Sequence, residues 1–179
     1  APDPYRGPWG NDDPEAGAKY AKDIGDLITF ATPGAVAGFF AEILNIGYEQ
    51  DWRIKKFYPN GLEDGDWNIS LDSDGPSDFS NDRAKAIAVD ANGYVYVAGH
   101  AQNKANASSG LDWWVRKFNS SGQAVTGWEK TLDHGNGEDV ATAIAVDSNN
   151  DVYVAGYSTD TNGSSGKDWR IVKYTSSGD

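Results

Sequence analysis

The stretch AIAVDANGYVYVAG at residues 86–99 decides the fold, because it returns as AIAVDSNNDVYVAG at residues 143–156. The two copies differ at only three positions, all of them in or beside the central turn. Each copy joins a short apolar run to a Val-Tyr-Val run through residues that favour tight turns. The repeat therefore predicts one strand–turn–strand unit that the chain uses twice.

A second phrase recurs together with the first. It reads DWRIKKF at 51–57, DWWVRKF at 112–118 and DWRIVKY at 168–174. Trp67 and Trp128 each follow the end of one of these phrases at the same distance. The spacing between phrases changes only in the intervening loops, which is typical of a structural repeat.

Each complete unit is predicted to form four short strands. The first is Ala86–Val89 and the second is Tyr94–Ala98, joined by an Asx-type turn at Asp90–Gly93. The third strand is Asp112–Phe118, and the fourth lies around Trp128–Leu132. Four antiparallel strands in a unit of this length are typical of a β-propeller blade.

The fold class predicted on these grounds is mainly β, a partial β-propeller within residues 51–179. It comprises a partial blade at 51–73, a full blade at 84–133 and another partial blade at 141–174, about nine strands in all. A closed propeller needs at least about four blades of four strands. We therefore expect either a longer protein or a protein partner or second copy that completes the open ring, because an open blade leaves unpaired strand edges.

The N-terminal fifty residues follow a different pattern. Residues 1–12 predict an extended Pro-rich arm, and residues 13–48 predict a helical hairpin. The second helix is apolar on nearly all sides, which is typical of a buried helix. Either the hairpin packs on its own domain, or the arm and hairpin dock into another protein. In the second case the contact residues would be Trp9, Phe39, Phe40 and Leu44.

The two recurring phrases resemble bacterial β-propeller repeats of the SBBP type, over about residues 51–179. The resemblance implies a multi-bladed propeller in a secreted or cell-surface protein. It implies no single activity and brings no catalytic residues. On this basis we expect an extracytoplasmic protein, periplasmic, cell-surface or secreted, whose signal peptide has been removed.

Composition narrows the functional classes. The formal net charge of −12 disfavours nucleic acid and anionic membranes as partners. The absence of cysteine excludes disulfides, thiolate metal sites and cysteine nucleophiles. The most apolar segment, residues 35–46, is too short to cross a bilayer, so we expect no transmembrane segment.

Two groups of polar residues are candidates for chemistry. His100 and His134 both lie in predicted loop positions, and we expect them to be surface histidines without a catalytic role. The acidic loop LDSDGPSDFSND offers Asp72, Asp74, Asp78 and Asp82. Clustered carboxylates of this kind suit calcium, although a solvated turn explains the same residues.

One tryptophan position recurs in every unit, at Trp52, Trp113 and Trp169. Recurrence favours a packing role between blades. Trp114 stands where the other copies have arginine, Arg53 and Arg170, so we expect it to be an exposed contact residue.

These patterns favour a non-catalytic extracytoplasmic propeller scaffold for protein–protein association or surface assembly, without a cofactor. We expect it to dock through its N-terminal arm and apolar hairpin. The alternative is a propeller that binds a ligand, a carbohydrate or calcium, or that is an enzyme, with its site in blades missing from this chain.

Overall fold

The structure is a computed structural model, and the part of the chain that it describes is mainly β. Within those residues it holds eleven strands and no helix, hence none long and apolar enough to cross a membrane. The described residues are 28–30, 39–41, 51–58, 62–72, 81–102, 104–105, 110–135, 137–159 and 166–179.

The strands form three antiparallel sheets in which successive strands are neighbours. The first sheet consists of β1 (Ile28–Phe30), β2 (Phe39–Ala41), β3 (Trp52–Phe57) and β4 (Glu63–Leu71). The second sheet consists of β5 (Arg83–Val89), β6 (Val95–Gln102), β7 (Leu111–Phe118) and β8 (Ala124–Leu132). The third sheet consists of β9 (Val140–Val146), β10 (Val152–Thr159) and β11 (Lys167–Tyr174).

The second sheet confirms the four strands predicted for the full unit, and its first turn has the predicted chemistry. Asp90 Oδ1 accepts hydrogen bonds from the backbone N–H groups of Asn92 and Tyr94, both at 2.9 Å. Gly93 adopts a φ of 81°, and Asn150 takes a φ of 62° at the same place in the second copy. Glycine and asparagine are the residues that tolerate this left-handed conformation best.

The predicted helical hairpin at 13–48 is wrong where the structure describes it. Ile28–Phe30 and Phe39–Ala41 are strands that pair with each other, and β2 pairs with β3. Phe39 stands opposite Lys56 as Tyr96 stands opposite Lys117 in the second sheet. Phe39–Ala41 lies between β1 and β3 in the sheet, and a short apolar run by itself cannot separate a buried helix from a strand inside a sheet.

The unit predicted as a two-strand fragment at 51–73 therefore belongs to a complete four-stranded sheet. The arm at 1–12, with Trp9, and the rest of the predicted hairpin, with Leu44, lie outside the described residues.

The core lies in two layers, one on each face of the second sheet. The first layer joins Trp52, Ile54 and Trp67 of the first sheet to Ala84, Ile87, Val95, Val97, Ala101, Trp114 and Phe118 of the second. The second layer joins Ala86, Tyr96, Ala98, Trp113, Val115 and Trp128 of the second sheet to Ala141, Ile144, Val152 and Val154 of the third. Because both faces of the second sheet are covered, β6 is buried along nearly its whole length.

Glycine is required where two strands approach closely. A Cβ on Gly99 would lie 2.0 Å from the carbonyl oxygen of Arg83, and one on Gly156 would lie 2.1 Å from that of Val140. Both glycines face a break in strand register, as expected at a β-bulge. The final glycine of the AIAVD…VYVAG phrase is therefore part of the strand geometry.

Candidate functional site

The recurring tryptophans connect each sheet to the next one. The Trp67 indole N–H donates to the backbone carbonyl of Ser120 at 2.8 Å, and Trp128 donates to that of Ser176 at 3.1 Å. Trp52 and Trp113 lie in the first and second core layers, fully buried. The predicted packing role is confirmed for these two residues.

The prediction that Trp114 is an exposed contact residue is wrong. Its side chain is buried in the first core layer, with its ring centroid 4.5 Å from that of Trp52. Its indole N–H donates to Glu129 Oε1 at 2.8 Å. Trp114 stands where the other units have arginine. It therefore adds an aromatic ring to the core, because this position faces the neighbouring sheet.

The third member of the tryptophan series has the opposite environment. Trp169 is 93% exposed and Ile171 is 71% exposed, whereas their counterparts Trp113 and Val115 are both 0% exposed. We call the surface formed by Ala143, Tyr153, Trp169 and Ile171 the open face of the third sheet. It repeats the apolar face by which the second sheet packs on the third.

Carboxylates gather at one end of the contact between the second and third sheets. The backbone N–H of Asp139 donates to the Leu111 carbonyl at 2.6 Å, and Leu111 and Glu138 form an isolated parallel bridge. This contact places the start of β7 beside the residues that directly precede β9. As a result, carboxylate oxygens of Asp112, Asp133 and Asp139 all lie within 4.8 Å of one another. We call these three residues the junction carboxylates.

Two of the four sequence-predicted calcium residues, Asp72 and Asp82, lie at the previous junction. Asp72 directly follows β4, and Asp82 is fully buried directly before β5, where its Oδ1 accepts the Gln102 N–H at 2.8 Å. Burial and then the negative charge of Asp72 raise the pKa of Asp51. Asp74 and Asp78 lie outside the described residues.

His100 is buried, contrary to the prediction of a surface histidine. It borders a cleft of about 310 Å³ together with Arg83, Lys85, Glu138 and other residues. Neither ring nitrogen has a hydrogen-bond partner among the described residues. Burial, followed by the positive charges of Lys85 and Arg83, lowers the pKa of His100 to about 4. The imidazole is therefore neutral at physiological pH.

His134 does lie at the surface, as predicted, and it contributes through its backbone. Its N–H donates to Asp139 Oδ2 at 2.7 Å. Neither histidine forms a described hydrogen bond to a serine, threonine or carboxylate side chain through its ring.

The junction carboxylates were missed because their members are far apart in the sequence. Asp112 opens one recurring phrase and Asp139 precedes the other, so each residue reads alone as a strand-end aspartate. The available signal was the alignment of the repeats, which matches Asp51, Asp72 and Asp82 with Asp112, Asp133 and Asp139. The alignment therefore places two sets of three aspartates at corresponding positions of the two junctions.

The comparisons with known proteins assign no family. No protein-family model matches the chain. A stretch of 43 residues is 54% identical to alanine–glyoxylate aminotransferase 2 homolog 2, mitochondrial, of Arabidopsis thaliana. The match covers 24% of this chain and 8% of that protein. Over the described residues, the fold and the site therefore define a mainly β protein of repeated antiparallel sheets, with an open apolar face and an acidic junction.

Proposed function

We propose that the chain is a non-catalytic scaffold of the β-propeller type that associates with other protein chains outside the cytoplasm. The contact is made by a further sheet of the same repeat, which stacks on the open face of the third sheet. The observation that carries the proposal is the exposure of Trp169 and Ile171 at positions that are fully buried in the preceding sheet.

The second sheet indicates what such a cover looks like. Its equivalent face is covered by Ala141, Ile144, Val152 and Val154, which come from two neighbouring antiparallel strands. The partner that fits the open face is therefore an antiparallel sheet that presents small and aliphatic side chains. A further sheet of the same repeat has side chains of this size and chemistry.

The energetic argument is the hydrophobic one. Burial of a large apolar side chain stabilises an interface by about 1.5–3 kcal/mol. Trp169 is the most exposed large hydrophobic residue of the described chain, and Ile171 lies two residues away on the same face. Contiguous exposed apolar surface marks association sites in proteins that are otherwise polar, and this chain carries a net charge of −12.

The strand edge supports the same proposal. In the second sheet β7 pairs with both β6 and β8, whereas β11 pairs with β10 alone among the described strands. Thr175–Asp179 repeats the turn of Asn119–Gln123, with the same two backbone hydrogen bonds. The outer edge of β11, which is followed by the same turn as β7, therefore accepts a further strand.

The extracytoplasmic setting and the scaffold role rest on the resemblance to SBBP repeats. A non-catalytic role is supported by the environment of His100, which is buried, neutral and without a described partner that would orient it as a base. The function therefore lies in protein contacts made by the surface of the repeat.

The test uses a second copy of the chain as the partner. Sedimentation velocity of the 179-residue protein over a range of concentrations should show reversible association. Trp169→Asp should weaken it by at least about tenfold, because a charge in the contact would be buried without a partner. The emission of Trp169, isolated as the difference between wild type and Trp169→Phe, should shift to shorter wavelength on association.

Leu62→Asp is the matched control, because Leu62 is 65% exposed but lies before β4, away from the open face. This variant should associate like the wild type. A folded wild-type chain that stays monomeric at every concentration contradicts the proposal, as does association that Trp169→Asp leaves unchanged.

A further inference from the structure

The junction carboxylates bring three negative charges into a small space. Asp112 and Asp139 are fully buried and Asp133 is partly buried, and oxygens of all three lie within 4.8 Å of one another. Like charges at this separation repel strongly, the more so when they are shielded from water. An acidic cluster of this kind needs either a proton or a cation.

Backbone N–H groups hold these carboxylates in place. Asp112 Oδ2 accepts the N–H of Ala105, and Asp133 Oδ1 accepts that of Gly135, both at 2.7 Å. Asp139 Oδ2 accepts the N–H of His134 at the same distance. Each of the three carboxylates is therefore oriented at the junction by at least one backbone donor.

The second observation concerns one oxygen. Asp139 is 0% exposed, and its Oδ1 accepts no hydrogen bond from the described residues. A buried anionic oxygen without a partner is costly, by several kcal/mol in order of magnitude. Asp139 also belongs to the group of three, so a cation held there would supply the missing partner.

We propose that the junction carboxylates bind a divalent cation, and that the cation is calcium. Calcium takes oxygen ligands at about 2.3–2.6 Å, so two of its ligands lie up to about 5 Å apart, which matches the separation in the cluster. Asp112 is the second residue of β7 and Asp133 directly follows β8, both in the second sheet, and Asp139 directly precedes β9 of the third. The ion therefore joins the two sheets at the end where Leu111 and Glu138 are bridged.

The site differs from the calcium loop predicted at Asp72–Asp82. The alignment of the repeats places Asp51, Asp72 and Asp82 at the corresponding positions of the preceding junction. Within the described residues, only the set at the second junction converges to metal-ligand distances. This inference does not depend on the proposed association, since binding is measured in the chain whatever its partner.

The experiment is a titration of the metal-free 179-residue chain with calcium chloride alone. Isothermal titration calorimetry should show saturable binding, and thermal unfolding should move to higher temperature as calcium is added. Asp139→Asn should lower the affinity at least about tenfold. In excess chelator the same variant should unfold at a higher temperature than the wild type, because one repelling charge is removed.

Asp112→Asn carries the same two expectations and replaces the first variant if Asp139→Asn does not fold. Asp66→Asn, at an exposed position of β4, is the matched control and should bind calcium as the wild type does. A wild-type chain whose unfolding is unaffected by calcium overturns the site, and so do junction variants with wild-type affinity. Magnesium binding as tight as calcium binding overturns the choice of the larger ion.

Discussion

Acidification should destabilise this protein through a single buried histidine. His100 is 5% exposed, and both ring nitrogens lie without a described hydrogen-bond partner. Protonation would place a positive charge near Arg83 and Lys85, in a site that burial already makes unfavourable for charge. The folded state therefore resists binding a proton that the unfolded state binds readily.

The magnitude follows from the two pKa values of His100. The pKa is about 6.5 in the unfolded chain and about 4 in the folded one. Above about pH 6.5 the residue is neutral in both states and does not change the free energy of unfolding. As the pH falls from there toward about 4, the unfolded state gains protons first, so the free energy of unfolding decreases. The loss attributable to His100 reaches about 2.5 kcal/mol at about pH 4.5.

The assay compares pH profiles of the free energy of unfolding in the wild type and in His100→Gln, by urea denaturation in excess chelator. Carboxylates titrate in the same range, and the raised pKa of Asp51 works in the opposite direction. The difference between the two profiles removes these contributions. The pH profile of His134→Gln should run parallel to that of the wild type, because this variant keeps the buried ring of His100.

Two outcomes would refute the reasoning about His100. One is a pair of parallel profiles for the wild type and His100→Gln between about pH 7 and about pH 4.5. The other is an NMR titration of the folded protein in which the His100 ring protonates near its ordinary pKa. Either result would mean that the ring reaches solvent or a proton acceptor.

Two further substitutions test the packing of the repeat. Gly99→Ala should destabilise the chain by at least ~2 kcal/mol, because the new Cβ would lie 2.0 Å from the carbonyl oxygen of Arg83. Gly65→Ala, where no heavy atom lies within 4 Å of the new Cβ, should change stability by less than ~0.5 kcal/mol in the same denaturation assay. Trp67→Phe should cost ~1–2 kcal/mol, since it removes the 2.8 Å hydrogen bond to the Ser120 carbonyl. Equal midpoints for the two alanine variants, or a wild-type midpoint for Trp67→Phe, would contradict these expectations.

The sequence predicted the second sheet well because its signals are local. Alternation in Tyr94–Ala98 and the Asp90–Gly93 turn act over a few residues, and both were found where expected. The hairpin error has the same origin. Ile28–Phe30 and Phe39–Ala41 are too short and too uniformly apolar for period to separate helix from strand, and pairing with β3 decided the outcome.

What the sequence alone determined is the repeat: which phrases return, which turns join them, and that Trp52 and Trp113 pack between sheets. The tertiary structure alone decided which copies are covered and which charges meet. Trp113 and Trp169 occupy equivalent positions of the repeat, yet one is buried and the other exposed, because among the described residues a sheet stacks only against the first. Asp112 and Asp139 lie close together at the Leu111–Glu138 bridge, a contact between distant segments that no local pattern encodes.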